Sequence, residues 1–251
     1  MPRLRGAHYC LGRKAVKTDS RTLRLARYLS PALTPPPASV DWTKGITDWG
    51  MMLNDALGCC TIAGVGHAVQ VLTANSSSEV TVPDSTILNY YENWDGYVDG
   101  DPSTDNGGIE LDVLNDWQKQ GFSGHALTAF ADPNVSNITE IKQVINLFGG
   151  VYIGFNVPQS VMNSDNDPTV PWDVTGDNTI VGGHAVFVPK YDADFLYPIS
   201  WGQVYKMTYA FWSQFVDEAH ALLSPDFIEA NGLDPAGFNM AQLETDLAAI
   251  A

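Results

Sequence analysis

The chain has 251 residues, of which 45% are hydrophobic and 17% charged, and a net charge of −16 with histidine neutral. This composition is typical of a globular protein of one large or two small domains, and it excludes a disordered or fibrous chain. No segment approaches the roughly 20 apolar residues of a membrane span. The three cysteines, two of them adjacent, are too few for a disulfide framework.

The charge is divided unevenly along the chain. Residues 1–28 contain eight basic residues and one acidic residue, whereas the remainder contains five lysines and 28 acidic residues. The acidic remainder should repel nucleic acids and anionic membranes. We therefore predict that residues 1–30 dock on an acidic surface of their own chain or of a neighbour, in a homo-oligomer or on a particle such as a virion. The competing interpretation is a solubilising terminal tail.

Residues 1–39 are predicted to form a basic arm followed by a linker, ahead of one domain over residues 40–251. Asp19 or Ser20 can cap a short helix in the arm. The proline-rich segment 31–39 favours a stiff polyproline conformation. No apolar run follows the first basic residues, so no secretory signal is predicted, and the expected location is the cytoplasm or a virion.

Hydrophobic periodicity indicates the elements of the domain. Helices are predicted from residue 60 and over 86–94, 109–120 and 138–148. Strands are predicted over 151–157, 185–188 and 195–201, and further helices over 209–222 and 240–250. This order predicts an α+β fold, with a helical subdomain over about 45–135, a β-rich subdomain over about 140–215 and C-terminal helices within 209–251.

Cys60 stands at the predicted start of a helix. The field at a helix N-terminus favours the thiolate, which is the nucleophilic form of cysteine. The alternatives are that Cys59 and Cys60 are small buried core residues, or that they form a vicinal disulfide.

A nucleophilic cysteine needs a base, and His184 is the best candidate because it opens an apolar strand that would keep it rigid. His67 lies about 10 Å along the helix from Cys60, so a packing role is predicted for it. The remaining histidines are assigned to the arm, to a surface loop or strand start, and to a solvated helix face: His8, His125 and His220 respectively.

Several short motifs follow one another in an informative order. They are Asp41-Trp42, Asn54 six residues before Cys60, Gly107-Gly108 before a helix, Gly183-His184, and Ser200-Trp201-Gly202. In this order they resemble the papain-like cysteine peptidase superfamily over about residues 40–205. The segment 54–61 also resembles bacterial and phage proteins, so a divergent bacterial or phage-type member is predicted.

The resemblance implies a papain-like fold with a cleft between two subdomains. It implies that Cys60 is the nucleophile, that His184 is its acid/base partner, and that Asn54 stabilises the oxyanion together with the Cys60 N–H. It further implies that Gly107 and Gly108 pair with an extended substrate and that Trp201 shields the histidine, with an ordinary turn and plain core packing as the alternatives. No metal or cofactor is predicted.

The chain departs from the family pattern at positions that bear on activity. Ile199 stands where the family has the asparagine that orients the histidine, and the adjacent Ser200 is predicted to point to the opposite face of its strand. Asn54 is shorter than the family's glutamine, and Thr61 replaces an aromatic residue. Leu57 and Asp105 stand at the two positions that form a disulfide in secreted members. Both cysteines are therefore absent together, as a reducing compartment would favour.

Two functions from different classes follow. The first is a thiol hydrolase, a cysteine peptidase acting on a peptide or protein substrate with a Cys-His pair that lacks the usual Asn. The second is a catalytically impaired papain-like fold with a structural or binding function, for example assembled on a phage particle through its basic N-terminal arm. A third interpretation, in which the arm is a propeptide, ranks last.

Overall fold

The computed structural model describes residues 9–31, 33–164, 167–233 and 237–250. Its helices are α1 Cys60–Ala74, α2 Asp84–Asp95, α3 Glu110–Gln120, α4 Ile138–Phe148, α5 Gln159–Met162, α6 Tyr209–Phe215, α7 Pro225–Asn231 and α8 Met240–Ile250. Its strands are β1 Leu23–Arg24, β2 Val40–Asp41, β3 Ala129–Asp132, β4 Val151–Pro158, β5 Ile180–Tyr191, β6 Phe195–Ser200, β7 Gln203–Val204, β8 Met207–Thr208 and β9 Val216–Leu223. Within the described ranges, no helix is long and apolar enough to cross a bilayer.

The strands form one mixed sheet in the order β1-β3-β9-β4-β5-β6-β7, with β2 beside β5 and β8 beside β6. The central strands β4 and β5 are antiparallel, and Val151 lies opposite Val188. Strand β1 of the arm runs parallel to β3 at the edge of the sheet. The long strands at the centre contain a high proportion of β-branched and aromatic residues, which fit a pleated, buried surface.

The sheet is covered on both faces. Along β5, Ala185 and Phe187 pack in the core shared with α1, α2 and α3. Val186 and Val188, on the opposite face, pack in the core shared with α4 and α6. This arrangement confirms the predicted α+β class, and the alternation of side chains along a strand explains how one strand contributes to both cores.

Helix α1 lies at the centre of the molecule, because every one of its residues except Ala74 is buried. Its first residue is Cys60, as the sequence predicts. The loop before α3 brings Gly107 and Gly108 to the start of that helix, and Glu110 is its first residue. These two helix starts and the middle of β5 position the side chains described below.

Two secondary-structure predictions are wrong. The predicted helix over 209–222 ends as α6 at Phe215, and the chain continues as β9. Pairing of β9 with both β3 and β4 outweighs the helix propensity of its alanines and leucines. The predicted short helix of the arm is instead β1 followed by a turn of 3₁₀ helix over Leu25–Arg27.

The described part of the basic arm lies on the body of its own chain. Leu25 and Tyr28 are fully buried in the core, and Tyr28 donates a hydrogen bond of 2.8 Å to Asp246. Residues 1–8, which include Arg3, Arg5 and His8, lie outside the described residues.

Candidate active site

Cys60 begins α1 and is fully buried. Burial raises the pKa of its thiol to about 12, and hydrogen bonding to the backbone of Ala185 and Gly12 only partly opposes this. The thiol therefore lies between β5 and the arm. In this environment it is protonated at neutral pH, which makes it a poor nucleophile.

His184 lies in β5, one residue before Ala185, and is also fully buried. Its Nε2 is 2.7 Å from the Oγ of Ser200. Its Nδ1 has no hydrogen-bond partner among the described residues. The ring stacks on Trp201 with centroids 4.4 Å apart and planes 12° from parallel. Burial lowers the pKa of His184 to about 3, so the imidazole is neutral here.

The contact with Ser200 corrects the prediction that this side chain points away from the histidine. Alternation along β6 holds: Ile199 faces the helical core, so Ser200 points to the opposite face of the sheet, where His184 lies against Phe155. Ile199, in the family's asparagine position, instead packs in the helical core and pairs with Phe187. A serine hydroxyl thus lies where the imidazole needs an orienting partner.

Asn54 is buried in the loop before α1. Its side-chain Nδ2 donates to the backbone oxygens of Leu57 and Cys10, each at 3.2 Å. The first bond fixes the amide within its own loop. The second directs an N–H at a carbonyl of the arm, which is the type of contact that an oxyanion-hole donor makes.

Residues 9–14 of the arm run through the cleft, where Arg13 forms an isolated β-bridge with Gly108. The ring of Tyr9 contacts Trp201 with centroids 5.1 Å apart, and the Cys10 N–H donates to the Asn54 backbone oxygen at 2.9 Å. Two residues later, Gly12 contacts the Cys60 thiol. Residues 9–12 of the arm therefore pass Trp201, Asn54 and Cys60 in turn.

Backbone hydrogen bonds fix this segment on both sides of the cleft. The Arg13 N–H donates to the Gly183 oxygen at 3.1 Å, next to His184. On the other side, the Gly108 N–H donates to the Gly12 oxygen at 2.9 Å and the Lys14 N–H donates to the Gly108 oxygen at 2.8 Å. The arm runs parallel to the Gly108 segment. Gly108, the predicted substrate-pairing residue, pairs here with a peptide of its own chain.

Glycine is required where the arm crosses the cysteine. A Cβ at Gly12 would overlap the carbonyl oxygen of Gly58, and a Cβ at Gly107 would overlap the carbonyl oxygen of Gly12. The arm backbone therefore packs directly against the backbones of the cysteine loop and of the loop before α3, with no room for a side chain at either contact.

The Arg13 side chain enters an acidic pocket beside the cleft. Its Nε is 2.8 Å from Glu110 Oε1, and its Nη2 is 2.9 Å from Glu218 and 2.5 Å from Asp217. Burial raises the pKa of Glu110 well above its usual range, with repulsion from Glu218 adding to the rise and the charge of Arg13 opposing it. Although burial acts in the other direction, hydrogen bonds from His220 and Arg13 keep the pKa of Glu218 below its usual value.

The sequence prediction that His220 lies on a solvated helix face is wrong. It lies in β9, is buried, and contacts Asp132 at 2.8 Å and Glu218 at 3.3 Å. Although burial opposes protonation, these hydrogen bonds raise the pKa of His220 to about 9. Glu110, Glu218 and His220 could each offer a metal ligand within 4.8 Å of the others, but the Arg13 guanidinium supplies the cation in this arrangement.

Two departures from the family pattern have structural partners. Asp105, at one of the disulfide positions, accepts hydrogen bonds from the Gly58 N–H at 3.0 Å and the Tyr91 hydroxyl at 2.6 Å. A carboxylate thus ties the cysteine loop to the loop before α3. Thr61, in the aromatic position, donates to Asp95 at 3.1 Å, and burial raises the pKa of Asp95 to about 6.

The other cysteines and histidines lie elsewhere. Cys59 and Cys60 are free thiols, and the Cys59 thiol donates to the Met52 oxygen at 3.4 Å, away from the cleft. His67 is buried within α1, edge-on to Trp49. His125 lies 2.7 Å from Asp226 near the surface. Sequence reasoning missed Arg13, Glu110 and Glu218, because only the folded chain brings these charges together.

Neither a protein-family model nor the sequence of a curated protein matches the chain. Solved structures do match. Xylellain, a cysteine protease from Xylella fastidiosa, has a TM-score of 0.65 at 16% identity and covers 88% of this chain and 98% of its own. The procathepsin B S9 of Trypanosoma congolense has a TM-score of 0.61 at 12% identity, over 86% of this chain and 87% of its own. The digestive procathepsin L 3 of Tenebrio molitor has a TM-score of 0.55 at 14% identity, over 82% and 75% respectively. The chain therefore has the papain-like fold of these cysteine proteases.

Proposed function

We propose that the protein is a cysteine peptidase that its own N-terminal arm keeps inactive. One observation carries the proposal: residues 9–14 lie as an extended peptide across the cleft that contains Cys60 and His184, hydrogen-bonded on both sides. A cleft that binds its own backbone in this way has the shape and the hydrogen-bonding groups to bind a peptide substrate.

The side chains present can perform acyl transfer. In the arm-bound structure the thiol hydrogen-bonds to the backbone of Ala185 and Gly12, and His184 Nδ1 has no hydrogen-bond partner among the described residues. Once the arm has left, with Nε2–H donating to Ser200, this Nδ1 would accept the thiol proton, and the thiolate would attack the substrate carbonyl carbon. The Asn54 amide and the Cys60 N–H stabilise the oxyanion. The imidazolium returns the proton to the leaving amine as the peptide bond breaks, and water then hydrolyses the thioester to restore the thiol.

The docked arm accounts for the neutral state of both groups. With Gly12 above the thiol and Tyr9 against Trp201, water is excluded and burial disfavours both the thiolate and the imidazolium. Removal of the arm would hydrate the pair and allow an ion pair to form. Two of the similar structures are named as pro-forms, which supports an inactive arm-bound form of this chain.

Cleavage of the arm after folding tests the proposal. Residues 15–18 are exposed, so the recognition sequence of a site-specific protease can be inserted there, and the same sequence at exposed residues 77–78 gives the matched control. We expect the cut in the arm, and not the control cut, to start hydrolysis of fluorogenic peptides and alkylation of Cys60.

Two results would count against the proposal. In the first, Cys60 of the arm-cleaved protein is alkylated by iodoacetamide, but the protein hydrolyses no peptide in a diverse library. This result favours the binding or assembly function through residues 1–30. If neither reaction starts although the arm fragment has dissociated, the cleft is not a thiol active site.

A further inference from the structure

The pocket that receives the Arg13 side chain is built for a guanidinium. The side chains of Arg13, Glu110 and Glu218 are all at most 4% exposed. The pocket also needs the glycine at position 154, because a Cβ there would overlap both Arg13 Nε and Glu110 Oε1. Among the described residues, neither carboxylate oxygen of Glu110 receives a hydrogen bond, so its partner is the charge of Arg13.

This pocket lies beside Gly108, the predicted substrate-pairing residue. Arg13 is the arm residue that lies opposite Gly108, and its backbone N–H also bonds the residue before His184. A substrate strand that replaces the arm and pairs with Gly108 would place one of its side chains at the same pocket entrance.

We propose that this pocket selects substrates with an arginine side chain at the position paired with Gly108, and that Glu110 and Glu218 are the residues that determine this specificity. The inference rests on the proposed peptidase function. In the arm-bound protein, Arg13 occupies the pocket in place of the substrate's arginine.

The geometry favours arginine over other occupants. The acceptors lie on two sides of the guanidinium, with Glu110 at Nε and with Glu218 and Asp217 at one terminal nitrogen. A planar group with several N–H donors matches this arrangement, whereas the single ammonium of lysine cannot reach both sides at once. An apolar side chain would leave buried carboxylates without a partner, which is costly.

The test uses the arm-cleaved full chain with its N-terminal fragment removed by gel filtration. The binding probe is a peptide with the sequence of residues 9–15, compared by calorimetry with the same peptide carrying leucine or lysine in place of arginine. The activity probe is a set of fluorogenic peptides that vary at one position at a time. A peptide with leucine in place of arginine loses the charge-assisted hydrogen bonds to the pocket. We therefore expect it to bind about tenfold to hundredfold more weakly, and to be hydrolysed with a kcat/KM lower by the same factor.

Variants of the pocket provide the controls. Glu218→Gln should reduce the preference for arginine to about threefold or less. Asp217→Asn changes a partly exposed carboxylate and should reduce the preference by a smaller factor. Glu140→Gln changes a buried carboxylate at the start of α4, away from the cleft, and should leave the preference unchanged.

The outcomes separate the two proposals. Tighter binding of the arginine peptide without hydrolysis of any peptide supports the pocket and contradicts the peptidase function. Hydrolysis with equal rates for arginine and leucine supports the function and overturns the pocket. Stoichiometric retention of zinc that depends on Glu218 and excludes the arginine peptide would also overturn it, since the pocket would then be a metal site.

Discussion

The Gly12→Ala substitution tests whether the arm controls Cys60 without altering any group of the proposed catalytic apparatus. The new Cβ would overlap the Gly58 carbonyl and lie 2.7 Å from Gly58 Cα, and both contacts are with backbone. Side-chain rotation cannot relieve such an overlap, so the arm must move away from the cleft at this point.

The expected effect follows from the contacts that the arm would lose. Three backbone hydrogen bonds flank Gly12, two with Gly108 and one with Gly183, and each contributes about 0.5–1.5 kcal/mol. Exposure of the thiol would also remove the burial that raises its pKa from the usual 9.0 to about 12. At pH 8 the thiolate fraction would then rise from roughly 10⁻⁴ to roughly 10⁻¹, an upper limit of about a thousandfold on the alkylation rate.

The assay is iodoacetamide alkylation at pH 8, followed by peptide mapping to separate Cys60 from Cys10, which is partly exposed. Val16→Ala is the matched control, because Val16 belongs to the same segment but is exposed. Circular dichroism and the melting temperature show whether each variant is folded. A folded Gly12→Ala protein whose Cys60 reacts no faster than that of the unmodified chain would refute arm control of the cysteine.

Three further predictions concern the site and the core. In the arm-cleaved protein, Ser200→Ala should lower kcat about tenfold or more, because the imidazole loses the group that orients it; an unchanged kcat and pH profile would exclude this function. In the same protein, Cys60→Ala should abolish fast alkylation at pH 6 and Cys59→Ser should preserve it, and the reverse result would assign the nucleophile to the other cysteine. Burial lowers the pKa of His67 to about 4 and of His184 to about 3, so the unfolded chain binds protons first as the pH falls below about 6.5. The free energy of unfolding should therefore fall by up to about 1.4 kcal/mol per pH unit for each histidine, and His67→Gln should make this decline less steep in denaturant titrations between pH 6.5 and 4.5.

Local patterns were sufficient to predict the framework of the site. Helix α1 starts at the predicted Cys60, and α4 has the predicted bounds, with Asn137 as its cap and a left-handed Gly149 at its end. Such signals depend on residues within one or two turns of one another, so they can be recognised without knowledge of the fold.

Contacts between distant segments could not be predicted in the same way. Residues 216–223 have helix-forming composition, yet pairing with two neighbouring strands determines their structure. The contact of Ser200 with His184 depends on which face of β6 is turned to the helical core, and the pairing of β5 with β6 determines this. The importance of Gly12 could not be recognised either, because its constraint comes from Gly58, 46 residues later in the chain.

The opposite charges of the arm and the body, noted from the sequence, have two distinct consequences in the structure. Among the described residues, three ion pairs between the arm and the body lie at the surface, where salt screens them and each contributes little: Lys17 with Asp112, Arg24 with Asp132, and Arg27 with Asp246. The Arg13 pairs are buried, and separating them would leave buried carboxylates unpaired, at a cost far greater than the loss of a surface pair. Moderate salt should therefore weaken the outer contacts of the arm while leaving Arg13 in its pocket. Release of the cleft then depends on cutting the chain, or on a competing arginine, rather than on ionic strength.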